Sequence, residues 1–164
     1  MARLHVQHAV NVIRQPRGSK VCWAASVAMT VGGSETIATV QAKARGAGVR
    51  LHDDGSLPIG DLPNVQLLAS QYRLAVSDVR TTDVTVERVS AWLRRGRFAM
   101  LGGFNYPNFP AAFDHAVTFF AVQGDGTARR TQVYLADPYN GRFHDDFEHF
   151  EGSVMADPHF VIHR

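Results

Sequence analysis

One cysteine occurs in the 164-residue chain, Cys22, within "QPRGSKVCWAASVAM" at 15–29. It lies between a glycine-containing loop and an alanine-rich run. A thiol in the first turn of a helix meets the positive end of the macrodipole and unpaired backbone N–H groups, and both favour thiolate, the nucleophilic form. Covalent catalysis by such a thiol needs an imidazole beside it and a third group to orient the ring.

Eight histidines are available: 5, 8, 52, 115, 144, 149, 159 and 163. The stretch "DHAVTFFAVQGDGTARRTQVYLADPYNG" reads as a β-hairpin whose midpoint, taken between His115 and Asp137, is Gly126 in the turn. A symmetric hairpin sets His115 opposite Asp137, with Cβ atoms roughly 4.5–5.5 Å apart. Gln15 lies on the loop before Cys22. Its amide and the Cys22 backbone N–H are candidate donors to an oxyanion. The chain therefore offers Gln15, Cys22, His115 and Asp137, in that order, for nucleophilic acyl transfer.

Each residue also has a plainer reading. A free cysteine is usually a small buried hydrophobe, His115 could be a half-buried strand residue, and Asp137-Pro138 is a common turn pair. Trp23 is either core or a wall behind the nucleophile. The aromatic loop "FNYPNFPAAF" at 104–113 offers Phe104 and Tyr106 as a cleft wall beside His115. "HDDFEHFE" at 144–151 suggests a metal site, but its spacing matches no established ligand motif. An acid-rich, solvated surface segment accounts for it better, and the site expected here uses neither metal nor cofactor.

Elements that must position these groups follow from periodicity and breakers. Residues 4–13 suit a short strand or extended lead-in. The small apolar run 22–31, stopped by Gly32-Gly33, reads as a buried helix. Ser34 is a candidate cap for a second helix over 35–45, and a third is expected near 62–72. Residues 73–79 are strand-like. In 85–96, Val86, Val89, Trp92 and Leu93 share one helical face. Four β-rich segments follow: "RFAMLGGF", "HAVTFFAV", "TQVYLAD" and "HFVIH". Helices followed by an antiparallel sheet indicate an α+β domain with a site between the two.

Bulk composition sets the remaining bounds. The chain is 45% hydrophobic and 20% charged, and its formal charge is +2. A pI near 9.0 reflects arginine outnumbering lysine, and so small an excess gives no argument for nucleic-acid or membrane partners. No stretch approaches the ~18 apolar residues of a membrane span, and the N-terminus lacks a signal-peptide apolar core. With one cysteine there is no internal disulfide, which suits a reducing compartment.

Taken together, Gln15 ahead of "CWAAS", the histidine of "DHAVTFFAV" and the aspartate of "ADPYNG" resemble a papain-like cysteine peptidase. The likeness is to compact bacterial members: peptidases that process bacteriocin leaders, and secreted papain-like effector proteases. It differs in the seven-residue step from Gln15 to Cys22, in Lys20-Val21 before the nucleophile, and in Asp rather than Asn as third member. The resemblance implies one domain over 1–164, with a helical lobe near 20–96 carrying Cys22 and an antiparallel β lobe near 97–164 carrying His115 and Asp137. It further implies an endopeptidase working through a thioester on a protein or peptide, with a preference for a small P1 residue such as glycine. An effector or toxin acting in a target-cell cytosol, reached without a signal peptide and restrained by a cognate inhibitor or immunity protein, is part of the same expectation. Amidases, peptide-crosslink hydrolases and transglutaminases use the same triad and are the alternative enzymes; a non-catalytic peptide-binding module is the alternative of another class.

Overall fold

The computed structural model describes residues 3–58, 60–106, 115–155 and 159–164. In chain order the elements are β1 (Leu4–Gln7), α1 (Cys22–Val31), α2 (Ile37–Gly46), α3 (Leu62–Ser70), β2 (Ala75–Val79), α4 (Val86–Arg95), β3 (Phe98–Gly102), β4 (His115–Gly124), β5 (Thr131–Asp137), β6 (Gly141–Asp146), α5 (Phe147–Ser153) and β7 (His159–His163). The fold is α+β. One antiparallel sheet runs β2-β7-β3-β4-β5-β6, with β1 paired to the turn end of β4.

Both faces of the sheet are covered, which is why β3 and β7 are buried along their whole length. Successive strand residues point to opposite faces. Ala99 and Leu101 of β3 therefore pack with α1, α2 and α3, while Phe98 and Met100 pack with α4 and α5. Along α1, nine residues from Cys22 to Thr30 are buried. The small alanines let this helix lie close to the sheet, where Thr118 Oγ1 donates to the Ser26 carbonyl at 3.0 Å. Gly32 and Gly33, both at positive φ, end it.

The structure corrects several sequence expectations. Thr36, not Ser34, caps α2: its side chain accepts from the Thr39 N–H while Thr39 Oγ1 accepts from the Thr36 N–H. The boundary near residue 96 is crossed by β1 and β2, which join the sheet from before it, and by α5, a helix after it. The acid-rich segment 144–151 is the end of β6 followed by α5, anchored by Phe147 and Phe150, which are fully buried. Its two histidines are engaged locally. The His144 ring packs against Tyr134, and His149 Nδ1 pairs with Asp145 Oδ2 at 2.6 Å.

The β4–β5 hairpin is not symmetric. Ala121 pairs with Tyr134, but the next pair is Phe119 with Leu135, so Phe120 is an extra residue in β4. Such a bulge shifts the register beyond it by one. Thr118 pairs with Ala136, and extending that ladder by one step places Val117, not His115, opposite Asp137. The bulge carbonyl, that of Phe120, accepts from the His8 N–H at 2.8 Å.

Candidate active site

Cys22 is the first residue of α1, where the helix leaves N–H groups without intrahelical acceptors. It is 7% exposed. His115 opens β4 and Asp137 closes β5, so both stand at one end of the sheet. Their side chains meet diagonally across the hairpin. His115 Nε2 donates to Asp137 Oδ1 at 2.7 Å, and both residues are buried. A side-chain hydrogen bond joins His115 to Cys22, and with Nε2 taken by Asp137 the ring offers Nδ1 to the sulfur.

Electrostatics follow from this chain of three. Burial, the largest single influence on His115, opposes its charged form, but hydrogen bonds with Asp137 and Cys22 outweigh it and push the imidazole up to about 9. Burial likewise acts to raise the Asp137 carboxyl. Donation from His115, from the Tyr139 N–H and from Asn140 overcomes it and holds the group below its ordinary value. At neutral pH the ring is imidazolium and the carboxylate is ionised.

Asn140 carries part of this and was not singled out in the sequence. Asp137 Oδ1 accepts from the Tyr139 N–H at 2.9 Å, and Oδ2 accepts from the Asn140 N–H at 3.1 Å and from Asn140 Nδ2 at 2.7 Å. With His115 that makes four donors to one buried carboxylate. The visible signal was an asparagine three residues after an aspartate in a Pro-containing turn, a spacing at which Asx side chains and backbone meet.

Gln15 is brought to the same end of the sheet, its backbone N–H donating to the Pro138 carbonyl at 2.9 Å. Its side chain is mostly buried, and Nε2 donates to the Ser19 carbonyl at 2.6 Å, leaving one Nε2 hydrogen uncommitted. The segment between β1 and Gln15 has no regular secondary structure and is strapped to the sheet by Arg97, which donates to the Ala9 carbonyl, and Arg142, which donates to that of Val10.

Of the three aromatic residues expected to wall a cleft, Trp23 and Phe104 are core instead. Trp23 is core, 1% exposed, with its indole N–H donating to the Gly55 carbonyl at 3.0 Å. Phe104 is fully buried between Phe150 and His159. Tyr106 gives its hydroxyl proton to Asp145 Oδ2 at 2.6 Å and packs edge-on against Phe143 and His149, which ties it to β6 and α5. Residues 107–113 of the aromatic loop lie outside the described residues.

A cysteine at the head of a central helix, hydrogen-bonded to a histidine on an antiparallel sheet that is held by an aspartate, is the layout of the papain-like fold. Solved structures share that fold over nearly the whole chain. One is a double glycine motif protease from an AMS/PCAT transporter in complex with the leader peptide, with a TM-score of 0.55 and 20% identity over 99% of this chain and 97% of that one. Another is the peptidase domain of Streptococcus ComA, a bifunctional ABC transporter of a quorum-sensing pathway, with a TM-score of 0.57 and 11% identity over 94% and 98%. UfSP from C. elegans gives a TM-score of 0.58 and 14% identity over 97% of this chain and 33% of that one. No protein-family model matches the sequence, and no curated protein is significantly similar to it. The chain has the papain-like peptidase fold.

Proposed function

We propose that the chain is a cysteine endopeptidase in which Cys22, His115 and Asp137 act as nucleophile, general acid–base and orienting carboxylate. One observation carries the reading: the buried His115 ring is hydrogen-bonded at once to Cys22 and to Asp137. The Cys22 thiolate, stabilised by imidazolium, attacks the scissile carbonyl carbon. The Cys22 N–H and the free Nε2 hydrogen of Gln15 receive the developing oxyanion. His115 then gives its proton to the departing amine, leaving a thioester on Cys22. A water molecule, deprotonated by His115, attacks the thioester; the carboxylic acid leaves and the thiol is restored.

The substrate class proposed is a peptide or protein segment, entering over the end of the sheet where the three side chains meet. Similarity to a double glycine motif protease bound to its leader peptide supports a peptide substrate with a small residue, glycine first, at P1. Residues 1–164 are proposed to work as one peptidase unit. For the cellular role we propose an effector protease acting in a target-cell cytosol and neutralised by a cognate inhibitor; the disulfide-free composition is compatible with that compartment.

Wild type and Cys22→Ala, expressed at low level in a bacterial cytosol, test this through growth and the new protein N-termini each produces. Cleavage at a few defined sites in wild type alone supports the endopeptidase and gives its specificity. Identical termini from both proteins would remove Cys22 from catalysis and leave a peptide-binding module. Growth inhibition without new protein termini would transfer the chemistry to an amidase or crosslink hydrolase.

A further inference from the structure

Thr30 stands near the C-terminal end of α1, eight residues and therefore about 12 Å along the helix from Cys22. A pocket of about 440 Å³ opens there, lined by His8, Ala9, Thr30, Arg95, Arg97 and Arg164. Three arginines converge on it, and no aspartate or glutamate side chain lines it among the described residues. None of the three joins an ion pair among the described residues. In a protein of formal charge +2 this is a concentrated, unanswered positive field.

The arrangement is built rather than incidental. A Cβ at Gly32 (φ +79°) would strike the Arg97 guanidinium, and one at Gly96 (φ +145°) would come within 2.9 Å of Arg164 Cδ. Both arginine side chains thus pass close over glycine backbone. Arg97 is fixed further by its bonds to the carbonyls of Ala9 and Val31, which use two of its five N–H donors. Burial and then the neighbouring charge of Arg164 weaken its hold on its proton. Capping of helix C-termini explains the Arg97–Val31 bond and the place of Arg95 in the last turn of α4. It explains neither Arg164 nor the hydroxyl of Thr30. That hydroxyl is buried, in a residue 1% exposed, and has no hydrogen-bond partner among the described residues.

We propose that this pocket binds the phosphate group of a small phosphorylated molecule, with Arg95, Arg97 and Arg164 as charge partners and Thr30 Oγ1 as a neutral donor. Guanidinium forks supply donors only, and a hydroxyl can turn its O–H toward an acceptor, which matches the acceptor-only oxygens of a phosphate dianion. A monoanionic carboxylate would leave two of the three charges unanswered. The volume lies in the range of small-molecule sites and exceeds what a bare phosphate fills. His8 borders the pocket but is already committed, its Nε2–H donating to the Leu93 carbonyl at 2.5 Å.

Inorganic phosphate is the first probe, titrated against chloride at matched ionic strength and followed by the backbone amide signals of Gly32 and Gly96. Saturable shifts at both are expected, and the double variant Arg95→Gln/Arg164→Gln should weaken binding at least tenfold. Neither side chain has a hydrogen bond or ion pair among the described residues, so the thermal midpoint without phosphate should not change. Thr30→Val, nearly isosteric, should weaken binding severalfold without loss of stability. Glycerol 3-phosphate in solution and vesicles of phosphatidic acid in phosphatidylcholine separate the two sources of the group: vesicle capture lost in the double variant assigns a lipid headgroup, and tighter glycerol phosphate binding without capture assigns a soluble ligand. No saturable shift, or equal affinity in the double variant, overturns the proposal.

Discussion

His115 Nε2 lies 2.7 Å from Asp137 Oδ1, and both residues are shut away from solvent, at 1% and 0% exposure. The bond sets the ring orientation, leaves Nδ1 for the sulfur and keeps the imidazolium favoured to alkaline pH. The alkaline limb of kcat/KM should therefore lie near pH 9, where His115 loses its proton. Asp137→Asn removes the strongest influence raising that value, so the limb should move toward neutrality and the maximum rate should fall. A pH–rate profile on a cleaved peptide decides it; an unmoved limb would detach Asp137 from the ring.

The same pair makes stability depend on pH in a defined direction. His115 is raised from an ordinary 6.5 to about 9 on folding, so its contribution is complete below 6.5 and is lost as pH rises through about 9. Asp137 is lowered, so its contribution is complete above the ordinary carboxylate range and is lost as pH falls through its depressed value. Urea unfolding of wild type and His115→Gln should show a gap that is widest below about pH 6.5, narrows as the pH rises from there and is smallest above about pH 9. A gap constant across that range would contradict the assignment.

Asn140 gives its side-chain N–H and its backbone N–H to one carboxylate oxygen. Asn140→Ala leaves part of a buried charge unsolvated, and should destabilise by about 1–3 kcal/mol while lowering the alkaline limb. Asn140→Asp places a second carboxylate against Asp137 and should destabilise more than the alanine, while its negative charge favours the imidazolium and moves the alkaline limb up rather than down. Denaturant midpoints and pH profiles of the two variants, read together, separate this role from simple packing.

Gln15→Ala tests the oxyanion donor. Loss of one such donor typically lowers kcat by about 10²–10³, whereas the contact between Cys22 and His115 does not involve Gln15. Iodoacetamide should therefore alkylate Cys22 at an unchanged rate while peptide turnover drops. Parallel losses in both would place Gln15 among the groups that hold the loop.

Some of this was legible from residue types alone. The start of α1 at Cys22 and its end at Gly32 follow from a small apolar run meeting two glycines, and the α4 face follows from the spacing of Val86, Val89, Trp92 and Leu93. The identity of the His–Asp pair was legible too, but not its geometry. Phe119 and Phe120 are both apolar, so the residue that the sheet leaves unpaired cannot be told from its neighbour. β6 and α5 were hidden because charge surrounds Phe147 and Phe150, and a helix this short shows less than two turns of pattern. Phe104 and Tyr106 resembled a cleft wall because nearness to His115 along the chain was the only measure available; their burial depends on α5 and β6.

The extra residue at Phe120 acts as a parity switch. With the pairing of the turn end continued unbroken, Asp137 would stand opposite Thr118, and His115 would fall on the other face of the sheet. One unpaired phenylalanine restores the phase, and the His8 N–H that meets its carbonyl locks that phase to the strap leading to Gln15. In the ladder between His115 and Asp137, length changes of two residues keep the pair on one face, while a change of one separates them however well every side chain is preserved. The spacing of the candidate triad is thus held by the arithmetic of the strands as much as by the residues themselves.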